Sequence, residues 1–260
     1  MSRVAIIAAM KREVAPLIRD WAVRTVELGG HRYQVFEKGD AVLVCAGIGA
    51  ESARRATEAM LQEGKPALVL SVGFAGALDT SLQAGDIVEP RTIINSGDGV
   101  RTEINAGMGI LVSSANVADA ADKARLRKAY GAVAVDMEAA AVALGARARG
   151  VEFAALKAIS DAADFSLPTI DRFVTTDGRF RAAGFALHVL VRPWLWPVTW
   201  TLAQNSSKAA AALKEALERY LAREIVRPNA WLDASNLRKG VVEYAGAHTP
   251  ADTPAHTQGH

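Results

Sequence analysis

Short apolar runs alternating with amphipathic stretches dominate the first two-thirds of the chain. Val4–Ala9 is continuously apolar, and Ala67–Val72 is apolar but for Ser71, the pattern of strands buried on both faces. Between them the pattern predicts a helix over Arg12–Trp21 and a hairpin of Tyr33–Glu37 with Ala41–Cys45 around Lys38-Gly39-Asp40. A turn at Gly47-Ile48-Gly49 then leads into a helix of good formers, Ala50–Glu63, stopped by Lys65-Pro66. Gly73-Phe74-Ala75-Gly76 reads as the turn that follows Ala67–Val72. Strands are expected at Asp86–Val88, Arg91–Ile94 and Gly109–Ser113, with a polar, glycine-rich loop over Asn95–Gly109 and a helix over Ala118–Tyr130.

Two further β-branched runs, Gly131–Val135 and Phe153–Ile159, flank a helix at Ala139–Arg149. This alternation predicts α/β layering around a mixed sheet. Beyond Asp164 the character changes. Phe165–Gly184 reads as a loop, a Trp-rich segment follows, and Ser206–Glu224 fits an amphipathic helix. The tail from Gly246 holds little that could pack and is expected to be disordered. One domain over residues 1–245, with an apolar insertion at about 165–204 and a tail at 246–260, accounts for the pattern.

Composition narrows the class. The chain has 260 residues, half of them hydrophobic and 22% charged, with a net charge of +2. That charge gives a nucleic-acid partner no electrostatic support. Cys45 is the single cysteine and lies in an apolar run, as a core residue in a reducing compartment would. The apolar run at the N-terminus suits a buried strand better than a secretory signal. The Ala183–Ala203 stretch has nearly spanning length, but Arg192, His188, Pro193 and Pro197 interrupt it, so a membrane span is not expected. The five histidines show no ligand spacing, so neither a metal site nor a cofactor is implied, and Gly47-Ile48-Gly49 lacks the third glycine of a dinucleotide fingerprint.

The chemistry gathers at acidic residues. Asp136-Met137-Glu138 and Ser160-Asp161 each close an apolar run, and parallel strands present their carboxyl ends to ligands. With Glu13, they suggest acid–base work on a small neutral or cationic molecule. Each also has a milder reading: Glu13 and Glu138 as first-turn helix acids, Asp161 as a helix cap, Met137 as core.

Six segments occur in one order: Val4–Val14, Gly47-Ile48-Gly49, Val72–Gly76, Gly85–Val88, Val135–Ala139 and Ala158–Asp161. Together they resemble the nucleoside phosphorylase and hydrolase superfamily, in particular its methylthioadenosine/S-adenosylhomocysteine nucleosidase branch. The resemblance covers roughly residues 1–164 and the final helix. It implies a three-layer α/β/α sandwich with a central mixed sheet, and cleavage of the N-glycosidic bond of a purine nucleoside. It also implies roles. Asp161 would protonate the leaving base, a task for which burial should raise its pKa, and Ser160 would steady it. Glu138 would hold the ribose hydroxyls, Met137 would pack on the sugar, and Glu13 would orient water. Gly73 and Phe74 would lie beside the substrate.

Phosphorylases of this superfamily grip phosphate with an arginine and a serine near the glycine turn. Here those positions are Ser71 and Phe74, so hydrolysis is favoured, with Lys157 and Arg12 left as candidate cations. Two departures bear on the substrate. Only Glu89–Met108 bridges the interval that covers the 5′ group in the nucleosidases, and Val117 replaces their base-stacking aromatic. The insertion adds Phe173, Phe180, Phe185, Trp194, Trp196 and Trp200, which suit a buried cluster, a dimer face or a membrane edge. A 5′-modified adenosine with an apolar, adenosylhopane-like tail is expected, in a cytoplasmic homodimer touching the inner membrane surface through Trp194, Trp196 and Trp200. The shortened architecture resembles hopanoid-associated members of the superfamily. A phosphate-dependent phosphorylase and a non-catalytic nucleoside-binding protein are the rival readings.

Overall fold

The computed structural model describes residues 4–165 and 180–226, together with Phe173, Thr175 and Gly178. The expected tail at 246–260 and most of the loop at 165–184 lie outside the described residues. A mixed sheet of eleven strands forms the centre, in the order β2-β3-β4-β1-β5-β10-β9-β7-β8, with β11 on β5 and β6 on β11. The strands are β1 (Val4–Ala8), β2 (Ala22–Leu28), β3 (His31–Lys38), β4 (Ala41–Cys45), β5 (Leu68–Ala77), β6 (Ile87–Val88), β7 (Thr92–Asn95), β8 (Arg101–Glu103), β9 (Ile110–Ser113), β10 (Ala134–Asp136) and β11 (Glu152–Asp161).

The continuous apolar runs are explained by cover on both faces. In β1, Val4, Ile6 and Ala8 point to one side, where Leu213 and Leu217 of α6 (Trp196–Val226) and Val14 of α1 (Lys11–Val14) close the core. Ala5 and Ile7 point to the other side, onto Ala53, Ala56 and Met60 of α2 (Ala50–Glu63) and Val142 and Ala146 of α4 (Ala139–Ala148). This is the three-layer α/β/α sandwich. Of the other helices, α3 (Ala120–Tyr130) covers β9, and α5 (Ala182–Leu190) packs on α6. No described helix is long and apolar enough to cross a membrane.

The structure corrects several expected boundaries. The helix over Arg12–Trp21 is one turn, Lys11–Val14, followed by a 3₁₀ turn at Ile18–Asp20. Pro16 has no N–H to continue the ladder. Gly73–Gly76 is no turn but the second half of β5, paired with Lys157–Asp161 of β11. Ala22–Leu28, for which the pattern predicts no element, and Arg101–Glu103, inside the expected loop over Asn95–Gly109, are strands on the sheet margins. Trp196–Val226 is one helix with Pro197 in its first turn, where a missing N–H costs nothing.

One feature of the topology creates the site. β1 runs parallel to β5 and ends with Ala8 opposite Val72. β10 runs antiparallel along the same edge, with Val135 opposite Gly76. Their carboxyl ends therefore meet head-on opposite Gly73–Ala75, while β11 closes the other edge of β5.

Candidate active site

A cavity of about 170 Å³ opens at this junction. Glu13 and Met10 enter from the end of β1, Met137 and Glu138 from the end of β10, and Ser160 and Asp161 from the end of β11. Phe74 borders it from β5 and Val117 from the loop before α3. Gly73 lies behind, against Glu13. Any Cβ there would stand 2.9 Å from Glu13 Oε2, and its φ of +147° is one that side chains rarely adopt.

Glu13 and Glu138 are buried and held by backbone donors. Met10 N–H donates to Glu13 Oε2 at 3.1 Å. Gly49 N–H donates to Glu138 Oε1 at 2.8 Å, which gives the Gly47-Ile48-Gly49 turn a direct task at the site. Beneath them Lys157 Nζ lies 2.8 Å from Asp136 Oδ2 and 3.1 Å from Ser71 Oγ. Asp136 also accepts from Ser113 Oγ at 2.6 Å and from Ala139 N–H at 2.9 Å. Three carboxyl groups thus share one lysine. Burial, and then the neighbouring Asp136 charge, raise Glu138 to about 7. Burial also raises Glu13, against the opposing pull of the Met10 N–H and of Lys157. Burial works against the charge on Lys157, yet Asp136 and Glu138 outweigh it and its pKa rises.

Asp161 differs. Its Oδ1 accepts from Ser160 Oγ at 2.6 Å, and its Oδ2 sits 2.5 Å from Nζ of Lys123. Against the expected burial, the side chain of Asp161 keeps 20% of its surface, and the Lys123 ammonium faces it. A β-bulge between Ile159 and Asp161 re-aims this end of β11 toward the cavity.

Several lining residues escaped the sequence pattern. Lys123 is one of the alternating charges of α3, and nothing local marks it as the one that turns inward. Phe180, Leu202 and Ser206 reach the cavity from the insertion and α6. Phe180 lies under the Arg12 guanidinium at 5.4 Å and beside Phe185 at 5.5 Å. No described residue of Glu89–Met108 borders the cavity. The candidate phosphate cations also separate. Lys157 is taken up by Asp136 and Ser71 and does not itself border the cavity, whereas Arg12 does. Cys45 is a free thiol whose pKa burial pushes up to about 12.

With this geometry in view, comparison with known proteins is informative. Residues 3–120 and 107–218 match the model of the phosphorylase superfamily, and the chain belongs to that family. A 5′-methylthioadenosine/S-adenosylhomocysteine nucleosidase from Glaesserella parasuis is 30% identical over 201 residues, covering 62% of this chain and 86% of that protein. The nucleosidase of the same description from Marinomonas is 39% identical over 92 residues, 34% of this chain, and that match spans only 39% of the relative's length. In fold, the chain resembles the Helicobacter pylori 5′-methylthioadenosine/S-adenosylhomocysteine nucleosidase solved in complex with a substituted pyrrolidinol. The TM-score is 0.65 at 18% identity, over 85% of this chain and 98% of that one.

Proposed function

We propose that the protein hydrolyses the N-glycosidic bond of a 5′-modified adenosine and releases adenine. The observation that carries this reading is the head-on meeting of β1 and β10, which sets Glu13 and Glu138 on one side of the cavity and Asp161 on the other. The named activity of the relatives points the same way. Cleavage moves the C1′–N9 electron pair onto the base while a proton reaches N7, and leaves a cationic sugar. A nest holding three carboxyl groups and one lysine is an environment suited to that developing positive charge. Glu138 would accept hydrogen bonds from the ribose hydroxyls, with Met137 against the sugar. Glu13, whose raised pKa suits a base working near neutrality, would take a proton from the water that attacks C1′. Asp161, steadied by Ser160, would face the leaving base, with Val117 and Phe74 along the walls.

The 5′ side supports a substrate with an apolar tail. Phe180 at the cavity contacts Phe185, which contacts Phe173, and Phe173 contacts His188. This aromatic chain leads from the cavity to a surface where Trp194 and Trp200 are 71% and 68% exposed, beside Leu187, Leu190, Val191 and Trp196. The tryptophans are therefore neither core nor buried under the insertion. An exposed apolar patch with indole edges suits the interfacial region of a lipid bilayer, where a lipid-linked, adenosylhopane-like nucleoside would be found.

The test is adenine release from 5′-methylthioadenosine, S-adenosylhomocysteine and lipid-tailed adenosines, with and without phosphate. Turnover without phosphate is expected. Strict phosphate dependence would make the protein a phosphorylase, with Arg12 as the cation at the cavity. Tight adenine binding without turnover on any of these would make it a binding protein.

A further inference from the structure

Lys123 is buried to 2% of its surface on a helix whose neighbouring cations, Arg125 and Lys128, stand in solvent. Burying an ammonium is costly unless its surroundings answer the charge. Here they answer it fully. An ammonium has three N–H donors, and Lys123 Nζ has three acceptors: Asp161 Oδ2 at 2.5 Å, the Ala162 carbonyl at 2.6 Å and the Phe165 carbonyl at 3.2 Å. The approach also depends on Gly76. A Cβ there would stand 2.9 Å from Asp161 Oδ2 and 3.1 Å from Lys123 Cε. A tie for the segment after β11 could be made by a neutral amide, so the charge calls for a reason of its own.

The hydrogen-bond pattern supplies it. Both oxygens of Asp161 accept, one from the Ser160 hydroxyl and one from the ammonium, so the carboxylate as found has no proton to give. The pair nevertheless holds one. An ammonium beside a carboxylate has the same proton count as an amine beside a carboxylic acid, and a shift from Nζ to Oδ2 converts one into the other. Resting on the nucleosidase reading above, we propose that Lys123 is the store of the proton that Asp161 delivers to the leaving base. The proton passes from Nζ to Asp161, and from Asp161 to N7 as the C1′–N9 bond breaks and its electron pair enters the purine. Adenine leaves neutral, Asp161 ends as a carboxylate, and Lys123 ends as an amine that regains its proton from solvent. The proton of the attacking water goes to Glu13. Lys123 borders the cavity but acts through Asp161, and so serves as a positioning residue for the proton.

The test compares two leaving groups. Adenine must be protonated to depart, whereas 4-nitrophenolate departs as a stable anion, so 4-nitrophenyl β-D-ribofuranoside bypasses the relay. Lys123→Met is expected to lower kcat for 5′-methylthioadenosine about 10²-fold or more, the range of general acid catalysis, with little change in KM. Nitrophenolate release should stay within a few-fold of wild type. Lys123→Arg retains the charge but cannot surrender a proton, and should show the same selective loss; it stands in if the Met variant does not fold. Equal losses on both leaving groups in a folded variant, or retained purine activity in Lys123→Arg, would overturn the proposal. Wild-type protein inactive on purines but active on the nitrophenyl riboside would overturn it too, and would count against adenosine as the substrate. Wild-type protein inactive on both would remove the nucleosidase reading, and this inference with it.

Discussion

The two ends of the cavity are built on opposite principles. At the inner end, Glu13, Asp136, Glu138 and Lys157 are buried, and each is fixed by hydrogen bonds or an ion pair to elements of the central sheet. At the outer end, Phe180, Leu202 and Ser206 come from the insertion and from α6, and they lead to tryptophans that lie in solvent. α6 itself shows the contrast. Leu213, Leu217 and Leu221 are locked into the core, while Trp196 and Trp200, a few turns earlier, stay 51% and 68% exposed. Buried charge demands fixed partners, so the inner end tolerates little change. An apolar surface demands only area, so the outer end tolerates more. On the proposed function, reaction and substrate are set by separate parts of the molecule.

This contrast can be broken most sharply from the inside. Asp161→Asn should lower adenine release by about 10²–10⁴-fold, the span of a general acid, with circular dichroism unchanged; a rate near wild type would remove its role. Glu13→Gln keeps an acceptor for Met10 N–H and a neutral side chain at a site where burial disfavours charge. It should fold normally yet lose activity by about 10²-fold or more in the same assay. Gly73→Ala sets a Cβ against Glu13 in a backbone conformation unfavourable for alanine. A loss of about 1–3 kcal/mol in urea unfolding is expected, together with activity.

Glu138 makes a pH prediction. Its pKa is 4.5 in the unfolded reference and about 7 in the folded protein, so the native state holds a proton that the unfolded chain has shed between those values. Its contribution to stability is complete below 4.5 and is lost as pH rises through about 7. Urea midpoints should therefore fall across that window, and Glu138→Gln should flatten the slope. On the role proposed for Glu138 at the ribose hydroxyls, substrate binding should respond in the opposite sense, with KM rising as pH falls below about 7 and the carboxylate becomes protonated.

The smallest effect is expected at the outer end. Replacing Trp194, Trp196 and Trp200 together by Ala should change stability by only about 0.5 kcal/mol for each exposed site, and should leave turnover of 5′-methylthioadenosine unaltered. It should abolish flotation with phosphatidylcholine–phosphatidylglycerol vesicles and lower activity on tailed adenosines carried in them. Equal flotation of both proteins, or none by either, would detach the Trp surface from substrate delivery.

The alternation of fully apolar runs with amphipathic helices determined the layered α/β fold, because strands covered on both faces can hold little else. The acids closing those runs pointed to the cavity they line, since the ends of buried strands are where a sheet exposes polar groups to a ligand. Local pattern could not show that Gly73–Gly76 continues a strand, because the reason lies in the close approach of Glu13 and Asp161 from other elements. Nor could it show Lys123 facing inward, for in α3 it looks like any solvated lysine until β11 brings Asp161 to meet it. Tertiary structure alone decided that β1 and β10 end against each other, that their acids share one lysine, and that the insertion opens the cavity toward an apolar surface. Each of these depends on partners far apart in the chain, and the energy of a buried charge depends on what surrounds it rather than on its neighbours in sequence.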